Sequence, residues 1–297
     1  VAIEDLIRRH KKTSSVVEAL ERGLRQPSVT KPPMLASDWL RVSSIGSVCP
    51  REEVLRSKLE VGKVDGVSAD LGLVFEVGHA LHWVMQNRAM PTAGGLIGKW
   101  RCTWCGEQYG HIKTTMVPRP EVCVRCGAIA GDIPRFQNRP DYTVRGNAFL
   151  YVEQWIGDYD FRIGGHPDGF WVDGDPHEFT DSDVVVLEFK SASERTFYKY
   201  KEVPDFVHVI QVQCYMWLTG YKRSKIIYIN KGQFGFGGVA EHDIEFDSGS
   251  IGRIKKAIGE IRLGLRSGEV PPRVACGTIA CQRARDCTVS QQCFSEE

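Results

Sequence analysis

Two cysteine pairs constrain this chain more than any other feature. Cys102-x₂-Cys105 and Cys123-x₂-Cys126 are separated by 17 residues, an interval at which two knuckles close a tetrahedral thiolate site around Zn²⁺. Gly106, Gly110 and Gly127 suit the tight turns of a zinc ribbon. So small a module has no core, and bound metal would supply its folding energy. From about 97 to 135 the composition shifts to cysteine, glycine and turn residues, so the ribbon reads as an insertion. It supplies neither His82 nor Asp168, and its loss is expected to leave the rest of the fold standing. Its role could be to grip DNA, to dock a partner or to give structural support.

At 297 residues the chain has room for one sizeable core and this small module. Ten cysteines suit metal ligation in a reducing compartment better than disulfides. No apolar run approaches the ~20 residues that span a bilayer, and the start, VAIEDLIRRHKKTSS, is too charged for a secretory signal. A cytoplasmic, intracellular location without a membrane partner is the expectation. Net charge is only +1, which leaves room for a local basic groove. Arg8, Arg9, Lys11 and Lys12 form one basic cluster, and Arg253, Lys255, Lys256, Arg262 and Arg266 another; each alone is ordinary for a solvated helix face.

Apolar spacing predicts short helices within 3–25, broken by the prolines of QPSVTKPPM, and a helix starting near Pro50. A core-facing helix covers 70–90, with Gly78 marking a close approach. Strands are expected in FLYVEQW (149–155), FRIGGHPDGFWV (161–172), DVVVLEFKSA (183–192) and SKIIYIN (224–230). A helix over 203–221 ends at Gly220. Ile251, Ile254, Ile258, Ile261 and Leu265 form the apolar stripe of another. The fold class is α/β, a mixed central sheet flanked by helices with a zinc-ribbon insertion.

In VVVLEFKSA side chains alternate across the strand, so Glu188 and Lys190 share one face and Leu187 and Phe189 the other. An apolar strand that ends on two charges describes a buried strand emerging into a cleft. Hydrolysis of a phosphodiester needs a divalent cation and a positive group near the developing charge, and Mg²⁺ or Mn²⁺ prefer carboxylate oxygens. Asp168, in GGHPDGFWV, supplies a second carboxylate. Gln211 and Tyr215 lie four apart on one helix face, and His82 follows Gly78 by four.

Gly78-x-x-x-His82, Asp168, Glu188-Phe189-Lys190 and Gln211-x-x-x-Tyr215, in that order, resemble the RecB-like branch of the PD-(D/E)XK nuclease superfamily across roughly residues 45–225. The resemblance implies that His82, Asp168 and Glu188 ligate the metal with help from the Phe189 carbonyl. It implies that Lys190 orients the attacking water, and that Gln211 and Tyr215 position the catalytic strand or the DNA backbone. His79 is an alternative to His82; the Gly-x-x-x-His spacing favours His82.

Cys276, Cys281, Cys287 and Cys293 form a second group, and Cys49 and Cys214 stand alone. Some RecB-like nucleases, AddB-type proteins and CRISPR-adaptation exonucleases among them, carry a 4Fe–4S cluster held by one early and three late cysteines. By that resemblance the ligands are Cys49, Cys281, Cys287 and Cys293, with Cys276 as the spare. The family's usual interval between its second and third ligands is shorter than the one found here. A second zinc site, or a cluster on the four late cysteines alone, stays open. Cys214 is expected to be a plain buried residue.

The expected organisation is an N-terminal helical segment (1–44), a first part of the core (45–96), the ribbon (97–135), the catalytic core (136–245), and a helix with the late cysteines (246–297). The implied function is a metal-dependent DNA exonuclease acting on single strands or ends in recombination, repair or phage DNA processing. A helicase or recombination protein is a possible partner. The alternatives are a non-catalytic DNA-end binding module and a site- or structure-specific endonuclease.

Overall fold

The computed structural model describes residues 34–111, 115–132, 148–233 and 236–295, with short stretches at 20, 23–24, 26–31, 135–136 and 139–140. The helices expected before residue 20, and the first basic cluster, lie outside the described residues.

The chain forms β1 (Gln26–Lys31), β2 (Leu40–Arg41), α1 (Val42–Ile45), α2 (Pro50–Lys58), β3 (Lys63–Val67) and α3 (Ala69–Val84). A π-helical turn, Met85–Ala89, runs from α3 into α4 (Met90–Ala93). Short strands β4 (Leu96–Gly98), β5 (Trp100–Cys102), β6 (Gln108–Tyr109), β7 (Val117–Pro118), β8 (Arg135–Phe136), β9 (Arg139–Pro140) and β10 (Phe149–Tyr151) follow. Then come β11 (Ile156–Asp158), β12 (Ile163–Gly165), β13 (Gly169–Val172), β14 (Val184–Ala192), α5 (Glu194–Glu202), α6 (Phe206–Thr219) and β15 (Arg223–Asn230). The chain closes with β16 (Val239–Glu245), α7 (Ser248–Ser267), α8 (Gln282–Asp286) and α9 (Ser290–Ser295). QPSVTK is a strand, not a break: β1 pairs antiparallel with β3, its register slipping between Gln26 and Val29 around Pro27.

The main sheet has the order β16-β15-β14-β13-β4-β7. The β14–β15 pair is parallel and the others antiparallel, which makes the architecture a mixed α/β sheet flanked by helices. Strand alternation divides β14 between two cores. Val184 and Val186 pack with Phe170, Cys214 and Tyr215 of α6 and the isoleucine stripe of α7. Val185, Leu187 and Phe189 pack on the other face with Trp100, Cys102, Cys123 and Phe149. The ribbon is therefore no separable appendage, because its cysteines share a core with the back of the catalytic strand. Loss of the ribbon metal is therefore expected to reach the back of β14 even where the rest of the fold stands.

Helix ends follow local chemistry. Asp205 accepts from Val207 N–H at 2.8 Å, so α6 begins there rather than at Val203. Gly220, at φ 91°, ends it in the left-handed region. Ser193 caps α5 and Asp247 caps α7. Among the described residues no helix is long and apolar enough to cross a membrane.

Candidate active site and metal centres

β13 starts at Gly169, opposite Leu187, so the last residues of β14 have no strand neighbour on that side. Asp168 stands at this opening, and its Oδ2 accepts Phe189 N–H at 2.6 Å. N–H and C=O of one residue leave an extended strand on the same side, so the Phe189 carbonyl faces the opening too. Glu188 and Lys190 point from the α6 face of β14, with Lys190 Nζ 2.5 Å from Glu188 Oε1. Gln211 Nε2 donates to the same Oε1 at 2.8 Å. Tyr215 donates to the His166 carbonyl at 2.8 Å, tying down the turn that carries Asp168.

α3 reaches the site because Gly78 lets it lie close to β14: a Cβ at Gly78 would sit 3.2 Å from Ser191 Oγ. One turn later His82 Nδ1 lies 3.2 Å from Asp168 Oδ1. The structure thus brings His82, Asp168, Glu188, Lys190, Gln211 and Tyr215 to one cleft of about 720 Å³. His79 also lines the cleft.

Glu153, Gln86 and Arg41 of this cleft were missed in the sequence. Glu153 brings a third carboxylate to this cleft, and Gln86 bridges it to the site, donating to Glu153 Oε1 at 2.6 Å and to the Asp168 carbonyl at 2.7 Å. The signal for Glu153 was a carboxylate just past a short apolar strand.

Three carboxylates in a half-enclosed cleft repel one another. Burial, then Asp168, pushes the Glu188 carboxyl up to about 8 despite Lys190. Burial likewise raises Glu153. Burial works against charged Lys190, but Glu188 prevails and holds the ammonium above its usual range. His82 is raised although burial opposes it, because Asp168 accepts from the ring. Glu188 Oε2 is buried without a hydrogen-bond partner. A buried carboxylate oxygen left unpaired is costly, and a hard cation shared with Asp168 would satisfy it. These residues fit Mg²⁺ or Mn²⁺.

A group raised in the folded state contributes stability below its unfolded pKa and loses it as pH climbs through the folded value, for Glu188 about 8. Without metal, the protein should unfold at a lower temperature at about pH 9 than at about pH 6. Mn²⁺ competes with the proton, so its stabilising shift should be small at the lower pH and large at the higher. Thermal unfolding with EDTA or Mn²⁺ measures both. An equal Mn²⁺ shift at the two pH values would remove Glu188 from the site.

The four ribbon cysteines are the tighter metal group. Their sulfurs all lie within 4.8 Å of one another, with Cys102–Cys126 at 3.7 Å and Cys105–Cys123 at 3.5 Å. Tetrahedral Zn–S bonds place sulfurs about 3.8 Å apart. Gly106 (φ 79°) and Gly127 (φ 74°) close the two knuckles, donating to the carbonyls of Cys102 and Cys123. Although burial opposes it, the Tyr109 hydroxyl and nearby amides bring the Cys123 thiol down to about 6, which favours the thiolate a metal needs.

Cys49, Cys276, Cys287 and Cys293 line a second cavity with Arg51, Arg273 and Arg283. Cys49 sits at the start of α2, and Arg51 Nε donates to Cys293 Sγ at 3.1 Å across 242 positions. Cys281 lies against Cys276, the two thiols in hydrogen-bond contact at the edge of this lining, and its sulfur accepts Ala284 N–H at 3.4 Å. The family resemblance points to Cys281 and leaves Cys276 spare; the cavity lining favours Cys276. Cys214 is buried in the core.

No family model matches the chain, and no curated protein matches it. Among solved structures it is similar to LHK-Exo in complex with dAMP, with 14% identity and a TM-score of 0.42 over 78% of this chain and 90% of that one. The alkaline exonuclease LHK-Exo from Laribacter hongkongensis gives 13% identity and a TM-score of 0.39 over 84% and 93%. SSO0001 gives 14% identity and a TM-score of 0.36 over 86% of each chain.

Proposed function

We propose that the chain is a DNA nuclease of the PD-(D/E)XK type that depends on Mg²⁺ or Mn²⁺ and acts as an exonuclease on single strands or ends. The observation that carries this reading is the unpaired, buried Oε2 of Glu188, set beside Asp168 and Lys190 in an open cleft. The cation held by Asp168, Glu188 and the Phe189 carbonyl, with His82 alongside, would polarise the scissile phosphate and lower the pKa of water. Lys190 orients the attacking water and offsets the charge that builds on the phosphate. Gln211 holds Glu188 in place, while Tyr215, Gln86 and His82 hold Asp168 and its turn. Arg41 brings a second cation to the cleft, suited to a flanking phosphate.

End-labelled linear DNA, single- and double-stranded, incubated with Mn²⁺ beside a covalently closed circle tests the reading. Loss of the linear substrates with the circle spared is expected. A cut circle would make the enzyme an endonuclease, and binding without cleavage would make it an end-binding module.

The ribbon is assigned to one structural Zn²⁺. The second cavity is assigned to a 4Fe–4S cluster on Cys49, Cys287, Cys293 and Cys276. The three arginines that line it suit a negatively charged cluster. Cys49→Ser should bleach the brown absorbance of anaerobically purified protein, and Cys276→Ser should do so more than Cys281→Ser. Colourless wild-type protein holding two zinc ions would overturn the assignment. Work in recombination, repair or phage DNA processing, beside a helicase or recombination partner in the cytoplasm, is consistent with such an activity.

A further inference from the structure

The hairpin β11–β12 is built in an unusual way. Gly157 and Gly164 face each other as Cα partners, although glycine weakens a strand and marks where something packs closely. What packs here is the Trp155 ring. A Cβ at Gly164 would lie 2.2 Å from Trp155 Cζ2, and one at Gly157 would lie 3.0 Å from Trp155 Nε1 and 2.9 Å from Trp39 Cζ3. The indole lies on a floor of bare backbone. Trp39 meets it edge-on at 5.5 Å, and His166 meets it at 5.4 Å. Tyr159, in the hairpin turn, meets Trp39 edge-on at 5.1 Å. That turn is fixed by Asp158 Oδ1, which accepts the N–H groups of Asp160 and Phe161, and by Arg162 at φ 47°.

Despite this close fixing, Trp155 is 46% exposed and Tyr159 79% exposed. Trp155 lines the cleft that holds Asp168 and Glu188, and His166 joins the two, two residues before Asp168. A rigid, half-exposed indole has already lost its rotamer freedom, so a flat ligand stacking on it costs little further ordering. Nucleobases of an unpaired strand present free π-faces, and stacking on aromatic side chains tolerates any sequence. In a duplex those faces are taken up by neighbouring bases, except at an end.

We infer that Trp155, set by Trp39 and the two glycines and extended by Tyr159, is a stacking subsite for an unpaired nucleobase of the DNA strand engaged at Asp168 and Glu188. This rests on the nuclease reading and deepens it: the platform selects single strands and frayed ends by their exposed bases.

Steady-state cleavage of a single-stranded oligonucleotide tests it. Trp155→Ala should raise KM about ten-fold or more, as the loss of one stacked base implies, with kcat little changed; Trp155→Phe should recover most of the loss. An oligonucleotide with a run of abasic sites should show a raised KM with the wild type and no further rise with Trp155→Ala. Equal abasic penalties in wild type and variant, or a fall in kcat at constant KM, would overturn the subsite. Should Trp155→Ala fail to fold, the abasic comparison with Trp155→Leu, which keeps apolar bulk but has no π-face, decides in its place by the same criterion. Should the wild type cut no DNA, quenching of its tryptophan fluorescence by oligo-dT, reduced in Trp155→Phe, would support the platform while the nuclease reading fell. Absence of that difference would overturn the platform as well.

Discussion

Glu188→Gln and Lys190→Met are each expected to lower single-turnover cleavage of DNA with Mn²⁺ by on the order of 10³-fold, the scale on which loss of one group that stabilises a transition state acts. Glutamine keeps an acceptor for Gln211, which donates to Glu188 Oε1 at 2.8 Å, so the fold should persist while the anionic ligand disappears. Methionine keeps the bulk of Lys190 and removes the ammonium that lies 2.5 Å from Glu188. Gln211→Ala removes no charge. It loosens a ligand, for which about 10- to 100-fold is expected. Near-UV circular dichroism of each variant separates chemistry from unfolding. A Glu188→Gln protein that cuts at the wild-type rate would place the active centre elsewhere.

The second large effect is expected from the ribbon. Cys102→Ser with Cys105→Ser should release about one zinc per chain and lower the melting temperature by about 10 °C or more, because a structural zinc supplies roughly 10–16 kcal/mol to a module with no core of its own. The damage should not stop at the knuckles. Cys102 and Cys123 share a buried cluster with Trp100, Phe149, Leu187 and Phe189, and Phe189 N–H is the group that holds Asp168. Cleavage should therefore fall at temperatures where the wild type is fully active. Metal analysis and calorimetry of the variant read this directly; retained zinc, or zinc lost with no change in melting, would contradict it.

What was legible in the sequence was whatever repeats with a fixed period or carries unusual chemistry. The alternation in VVVLEFKSA placed Glu188 and Lys190 on one face of β14, and the structure directs that face toward α6. The two knuckles were visible because thiolate spacing is short and local. Contacts set by a change of register were hidden. Gln86 sits in the π-helical turn after α3, where an added residue breaks the 3.6-residue period and leaves both Gln86 and Asn87 buried. Asn87 Oδ1 then accepts Tyr151 N–H at 2.8 Å, next to the point where β10 ends. Two residues on, Glu153 faces the cleft rather than continuing the strand expected over 149–155. β16 was missed because its exposure alternates on an edge with charged residues outward: Lys225 of β15 pairs with its Glu241 and Asp243 at 2.5 and 2.8 Å. The helix α5 was also missed; its start rests on the Ser193 cap. The joining of Cys49 to the last helix, across most of the chain, has no local signature and came only through family resemblance.

Anomalous scattering from Mn²⁺, in crystals grown with a short DNA end, would locate the catalytic cation and the strand it acts on. The expected result is a manganese peak between the carboxylates of Asp168 and Glu188 and the carbonyl of Phe189, with a DNA phosphate against Lys190. Manganese bound elsewhere on the chain, or a DNA end seated away from this cleft, would contradict it.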